Sequence, residues 1–289
     1  MTTKELEKQA NNIRKDVIEM VHNASSGHIG GSLSCADILA VIYHHSMNLN
    51  LDENGKRIDK FILSKGHACP AYYSVLSSCS FFDRKLLLGF RKSDGVLEGH
   101  PSIKTPGVDS SSGSLGQGLS IANGMALAKK IDKKPGYVYC LLGDGELEEG
   151  QNWEALMSAN KFNLNNLIVI VDYNGLQIDG SIEYVKKLDN LDKKFESFGF
   201  NVIKIDGHNI DQIITAIDKA KCSDRPTCII AKTIKGKGVS FMENQAQWHG
   251  KAINDQEYVI AMKELSKEWL YEIYKKSLWW VFSWTWKKR

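Results

Sequence analysis

Proline is scarce, with five residues in 289, and the six cysteines include no Cys-x-x-Cys pair and no histidine at zinc-site spacing. Collagen-like and disulfide-scaffold readings fail on those grounds, and scattered cysteines in a chain this long predict reduced thiols in the cytoplasm. No stretch approaches the roughly 18–20 uninterrupted apolar residues of a membrane span. The opening Met-Thr-Thr-Lys-Glu-Leu-Glu-Lys has no basic segment leading into an apolar one, so no secretory signal is expected. Charge of one sign is lacking as well. The net +3 is supplied by Lys287-Lys288-Arg289 alone, which argues against a nucleic-acid-binding face. What is present is 43% apolar residues, enough for one large domain or two small ones with a buried core.

The first part of the chain reads as helical. Leu6, Ile13, Val17, Ile18 and Val21 have helical spacing over 4–23, and 35–47 predicts a second, more apolar helix. A short apolar run, Phe61-Ile62-Leu63, follows a turn-rich stretch. Helices are expected at 69–79 and 83–91, and again at 115–130. Between the last two lies the Gly/Ser/Pro-rich segment 92–115, a length of loop that usually carries function. Strands and helices then alternate: strands at 137–142, 167–171, 201–205 and 227–231, helices at 150–161, 188–198 and 210–220. Continuous rather than alternating apolar strands mark a parallel sheet covered on both faces, hence an α/β fold. Ligands of such sheets sit beyond the carboxyl ends of the strands.

Two motifs fall at such ends. Leu142-Gly143-Asp144-Gly145-Glu146 closes the strand at 137–142, and Asp172-Tyr173-Asn174-Gly175-Leu176 closes the next, with 28 residues between Gly145 and Asn174. A Gly-Asp-Gly or Asn-Gly turn alone is common. Together they bring Asp144 and Asn174 to one sheet edge. A carboxylate, an amide oxygen and a nearby backbone carbonyl are hard ligands that, with diphosphate oxygens and water, complete an octahedral Mg²⁺ site. Gly143 and Gly145 allow close approach of the backbone to phosphates.

With these motifs in view, residues 10–255 resemble the transketolases of the thiamine-diphosphate enzyme superfamily. The resemblance runs through six blocks in order: Ser25-Ser26-Gly27-His28-Ile29-Gly30-Gly31-Ser32; Leu63-Ser64-Lys65-Gly66-His67-Ala68; Gly99-His100-Pro101; Gly113-Ser114-Leu115-Gly116-Gln117-Gly118; residues 143–150 with 174–180; and His249-Gly250 after Lys235-Gly236-Lys237-Gly238. It implies a thiamine-diphosphate-binding fold, with a parallel sheet flanked by helices on both faces. The implied activity is transfer of a two-carbon ketol unit from a ketose to an aldose, with thiamine diphosphate and Mg²⁺. On this resemblance the metal ligands are Asp144, Asn174 and the carbonyl of Leu176. The cofactor contacts are His67, Gly113, Leu115, Gly143, Asp144, Gly145, Glu146, Asn174, Ile234 and His249. The catalytic set is His28, His67, His100, His249 and Glu149. Neutral imidazoles both donate and accept, which suits proton transfers on sugar hydroxyls. Glu149 matches a glutamate that reaches across the dimer interface, although it also reads as one more acid at a helix start. His22, His44, His45 and His208 are expected to be structural.

Full-length members carry further domains, which hold the aminopyrimidine ring and grip the substrate phosphate. The resemblance therefore implies the N-terminal subunit of a split enzyme, with a C-terminal partner chain, an α₂β₂ assembly and sugar phosphate substrates. Lys65, where many members have an amide, and Tyr173 before Asn174 depart from the pattern. Three other readings compete: a specialised sugar pathway, the α subunit of a 2-oxoacid dehydrogenase component, and a non-catalytic scaffold. The domain is expected over residues 1–265. Residues 266–289 are expected to form an aromatic tail, since five of the seven tryptophans lie from Trp269 onward. A helix over 255–276 followed by an aromatic peg into a partner, a membrane-surface anchor, and an end foreign to the domain all fit that tail.

Overall fold

The computed structural model describes residues 1–266; the aromatic tail and the end of the 255–276 helix lie outside them. The chain opens with α1 (Thr3–Asn23), whose Glu5 side chain accepts from the Thr2 amide at 2.7 Å and closes the first turn. Short helices α2 (Ile29–Ser34) and α3 (Ala36–Val41) follow, and Ile42–Ser46 ends the latter in one wide turn. The helix expected at 35–47 thus begins six residues early and breaks at Cys35. The run at 61–63 is a strand, β1 (Lys60–Leu63), and leads into α4 (Cys69–Ser78). The expected helix at 83–91 is only a 3₁₀ turn, Arg84–Gly89, capped by Asp83.

The rest of the domain alternates as its pattern predicts: α5 (Gln117–Ile131), β2 (Val138–Gly143), α6 (Gly150–Lys161), β3 (Leu167–Tyr173), a hairpin of β4 (Leu176–Gln177) and β5 (Gly180–Ser181), α7 (Ile182–Val185), α8 (Leu191–Ser197), β6 (Asn201–Asp206), α9 (Ile210–Lys221) and β7 (Thr227–Lys232). Residues 255–266 are helical.

Five strands form one sheet in the order β1-β2-β3-β7-β6, every neighbouring pair parallel. Successive residues of the central strands face opposite cores. Leu141, Ile168, Ile170 and Ile229 pack towards α1, α3, α4 and α9, whereas Leu142, Val169, Val171 and Ile230 pack towards α5, α6 and α8. That two-sided burial is why the strands read as unbroken apolar runs. Register sets Gly143 beside Asp172, so β2 and β3 end at one level. Among the described residues no helix is long and apolar enough to cross a membrane.

Candidate active site

Four neighbouring strands deliver side chains to one edge of the sheet. β1 is followed by Ser64, Lys65 and His67, β2 by Asp144, β3 by Asn174, and β7 by Thr233, Ile234 and Lys235.

Asp144 is 2% exposed, and its carboxylate bridges the two motif turns: Oδ1 accepts from Gly145 N at 2.9 Å and Oδ2 from Gly175 N at 2.5 Å. Asn174 Oδ1 accepts from Leu176 N at 3.1 Å, and the Leu176 carbonyl accepts from Lys235 Nζ at 3.1 Å. The two ligand motifs are therefore one hydrogen-bonded unit. No ion pair to Asp144 occurs among the described residues. Burial, reinforced by the charge of Asp172, lifts its carboxyl to about 6. Among the described residues no group of three or more His, Cys, Asp or Glu side chains is placed to hold a metal ion; the set at these turns is one carboxylate with amide and carbonyl oxygens.

Behind Asp144 lies a neutralised layer. Lys65 and Asp172, both almost wholly buried, form an ion pair. Lys65 Nζ also donates to the Gly31 carbonyl at 2.9 Å, Ser34 Oγ donates to Asp172 Oδ2 at 2.6 Å, and Thr233 Oγ1 donates to Asp172 Oδ1. Burial opposes ionisation of Asp172, but the Lys65 ammonium and these hydroxyls outweigh it and hold its carboxyl below the usual range. Glu146 is likewise turned inward. Its carboxylate takes the Ser64 hydroxyl and the amides of Gly116, at 3.0 Å, and Gly143, at 3.1 Å. Its side chain thus braces the 113–118 loop against β2.

The four histidines of the separate blocks converge. Ring centroids lie 5.4 Å apart for His28 and His67, 5.6 Å for His28 and His249, 5.0 Å for His67 and His249, and 6.4 Å for His28 and His100. The 27–28 and 249–250 segments lock together through His28 N, which donates to the His249 carbonyl at 2.8 Å. A β-carbon on Gly27 would lie 2.4 Å from the Gly250 carbonyl oxygen, so only glycine permits that approach. Gly113 rests against the His100 ring, its virtual β-carbon 3.4 Å from Cδ2. Burial and neighbouring cations hold all four imidazoles neutral. Burial, then Arg91, His100 and Lys235, brings His28 down to about 4; burial, then Lys235, brings His249 to about 3; His67 and His100 are also lowered, burial being the main cause.

Glu149 is exposed at the start of α6, its β-carbon against the Gly116 turn, and no side-chain hydrogen bond caps the helix. Leu115 and Ile234 are half-buried on the flanking loops. Ile234 N donates to His208 Nε2 at 2.8 Å, and His208 Nδ1 meets Asp37 at 2.7 Å. His22 and His44 make ordinary partners, with Asp255 and Ser78.

Two cations were given no role by the sequence reading. Lys235, 1% exposed, donates to His249 Nδ1 at 2.9 Å, and burial brings its ammonium down to about 8. Its place just past a strand end was a usable signal. Arg91, read as the last residue of the expected helix 83–91, donates to His28 Nδ1 at 3.2 Å.

A parallel sheet whose strand tips gather hard oxygen donors and neutral imidazoles is the ligand-site arrangement of an α/β fold. Residues 6–276 match the family described as transketolase, thiamine diphosphate binding domain, and the chain belongs to that family. It is 41% identical over 267 residues to a 6-deoxy-6-sulfo-D-fructose transketolase subunit from Clostridium sp. (strain MSTE9), covering 91% of this chain and 97% of that one. It is 38% identical over 269 residues to one of the apulose-4-phosphate transketolase subunits of Phocaeicola vulgatus, covering 92% and 96%. Human transketolase is 39% identical over 273 residues, but the match spans 42% of its length. The crystal structure of Campylobacter jejuni transketolase superposes with a TM-score of 0.86 at 36% identity, over 92% of this chain and 43% of that one. The match to full-length transketolases thus spans less than half of their length.

Proposed function

We propose that this chain is the N-terminal, diphosphate-binding subunit of a split transketolase. On this reading it moves a two-carbon ketol unit from a ketose phosphate to an aldose phosphate, and it acts only with a C-terminal partner chain, as an α₂β₂ assembly in the cytoplasm. The observation that carries the reading is the meeting, at one sheet edge, of the Asp144–Asn174–Leu176 unit with four uncharged histidines.

The donor set suits Mg²⁺. Asp144 is a buried carboxylate with only backbone donors for partners, and the Asn174 amide oxygen and the Leu176 carbonyl are hard and close in sequence. Gly143, Gly145, Gly113, Leu115, Ile234 and His249 would then line the cofactor, while Glu146, expected among them, is turned inward and braces that lining. Thiamine diphosphate, when bound, supplies the electron sink for breaking and making the carbon–carbon bond. This chain's own residues position the sugar and donate hydrogen bonds to it. His67 and His100 hold donor hydroxyls near the cleaved bond, while His28 and His249, each with Nδ1 taken by a cation, present Nε2–H to a sugar hydroxyl. His67 and His249 are half-buried and His100 is exposed at the mouth of the cluster, where a sugar can reach it. Glu149, exposed on α6, faces the partner chain. Residues 1–265 form the cofactor domain in this reading, and 266–289 are an appended aromatic tail.

Two relatives are named for specialised sugars, so the panel of donors should include 6-deoxy-6-sulfo-D-fructose beside ordinary ketose phosphates. The test mixes the chain with a candidate C-terminal chain, Mg²⁺ and thiamine diphosphate, and follows ketol transfer. Transfer is expected with both chains and with neither alone. A complex that forms yet moves no ketol unit between any sugar pair overturns the proposal.

A further inference from the structure

Arg91 stands in the left-handed region, φ +58°, in a tight turn in which its amide donates to the Leu97 carbonyl at 2.9 Å. A non-glycine residue in that conformation is uncommon and needs support from its surroundings. The turn sends the side chain back to the mouth of the histidine cluster. There NH2 lies 3.2 Å from His28 Nδ1 and 3.4 Å from the Gly99 carbonyl, with the guanidinium carbon 5.5 Å from the Phe90 ring centroid. The guanidinium lies flat over Gly99. A β-carbon there would meet Arg91 Cζ and Nε at 2.9 Å and NH2 at 3.0 Å. Two backbone features thus hold one side chain against one imidazole nitrogen.

A guanidinium only donates. His28 Nδ1 must therefore accept, which leaves the ring proton on Nε2. We propose that Arg91 is a positioning residue that fixes His28 as its Nε2–H tautomer and so presents an N–H donor, with no free acceptor, to the site. The proposal deepens the reading of His28 as a residue acting at a sugar hydroxyl, making it a hydrogen-bond donor there, and rests on that reading for its functional meaning. The groups facing His28 are Arg91, the rings of His67, His100 and His249, and the more distant Lys235. Arg91 is the one that reaches Nδ1 within hydrogen-bond distance among the described residues. The lowered imidazole pKa agrees with an enforced neutral ring but does not by itself choose the tautomer.

The test reads imidazole ¹⁵N shifts of the full chain, with His28 assigned through His28→Gln. No cofactor, sugar or partner is present, so its outcome is independent of the transfer assay. A charge-assisted hydrogen bond predicts that the parent favours Nε2–H by about tenfold or more, and that Arg91→Met lowers this ratio by about fivefold or more. Arg91→Lys, which keeps a donor, should restore most of the preference. Gly99→Ala, which displaces the guanidinium without removing it, should reproduce the Arg91→Met shift, and it carries the test if Arg91→Met does not fold. An unchanged tautomer ratio in a folded Arg91→Met or Gly99→Ala chain overturns the proposal. In the active pair, Arg91→Met should lower kcat with KM for phosphorylated sugars within about twofold of the parent. A rise in KM confined to anionic sugars, with the tautomer ratio unchanged, would make Arg91 a substrate anchor and overturn the positioning role.

Discussion

Asp144 shows what a binding site costs at a single residue. Its carboxylate is buried beside Asp172, with backbone amides for partners. Its folded pKa of about 6 lies above the unfolded value of about 3.9, so the folded chain holds the proton more tightly. With the metal absent, stability is therefore expected to fall as pH rises from about 4 to about 6 and to stay lower above that. Asp144→Asn should remove this dependence and stabilise the metal-free chain at pH 7 by about 1–3 kcal/mol, read from urea unfolding. The same variant should lose Mg²⁺-dependent retention of thiamine diphosphate in equilibrium dialysis. Retention equal to the parent's would refute the ligand assignment. Asp144, Asn174 and the four histidines were legible because each sits in a short motif of its own. Arg91 was not, because an arginine at the end of an expected helix, 83–91, looks like any solvated charge until the chain folds it back onto His28.

Among elements, the Lys65–Asp172 pair is the main polar tie beneath the site. It joins the segment after β1 to β3, and through Gly31, Ser34 and Thr233 it also holds α2 and the end of β7. Removing one member leaves the other charged and buried. Asp172→Asn is expected to cost about 3–5 kcal/mol at pH 7 by urea unfolding, and a loss below about 1 kcal/mol would count against this role. The direction with pH follows from the shifts. Asp172 is lowered in the folded state, so its contribution is present above about pH 4 and lost as pH falls through the folded value. Lys65 is raised, the pull of Asp172 outweighing burial, so its contribution is present below about pH 10 and lost above it. The parent should show both limbs in a pH series, and Asp172→Asn should lack the acid limb. The sequence flagged Lys65 as a departure without supplying its partner, since 107 residues separate the pair. Element boundaries failed for related reasons. A run of three apolar residues, 61–63, was too short to declare itself a strand, yet it is the edge strand that delivers Lys65 and His67. The apolar stretch 83–91 had helical spacing but settled into a 3₁₀ turn, with only Leu87 and the following Phe90 deeply buried.

At the scale of the whole molecule, the exposed Glu149 and the open edge of the histidine cluster leave the site facing outwards. If the partner chain completes it, sedimentation of the mixed chains should give a species containing two copies of each, and each chain alone should sediment as a smaller form. A one-to-one complex with full transfer activity would overturn the α₂β₂ assignment. The sequence by itself determined the class of fold and the identity of the chemical groups. Unbroken apolar strands between helices can be buried only in a two-sided parallel sheet, and Gly-flanked Asp, Asn and His residues mark loops at its strand ends. Only the tertiary structure decided how those groups act on one another. The strand order, the buried pair behind Asp144 and the cations set against His28 and His249 all depend on contacts between distant parts of the chain, and no local pattern encodes the distance between them.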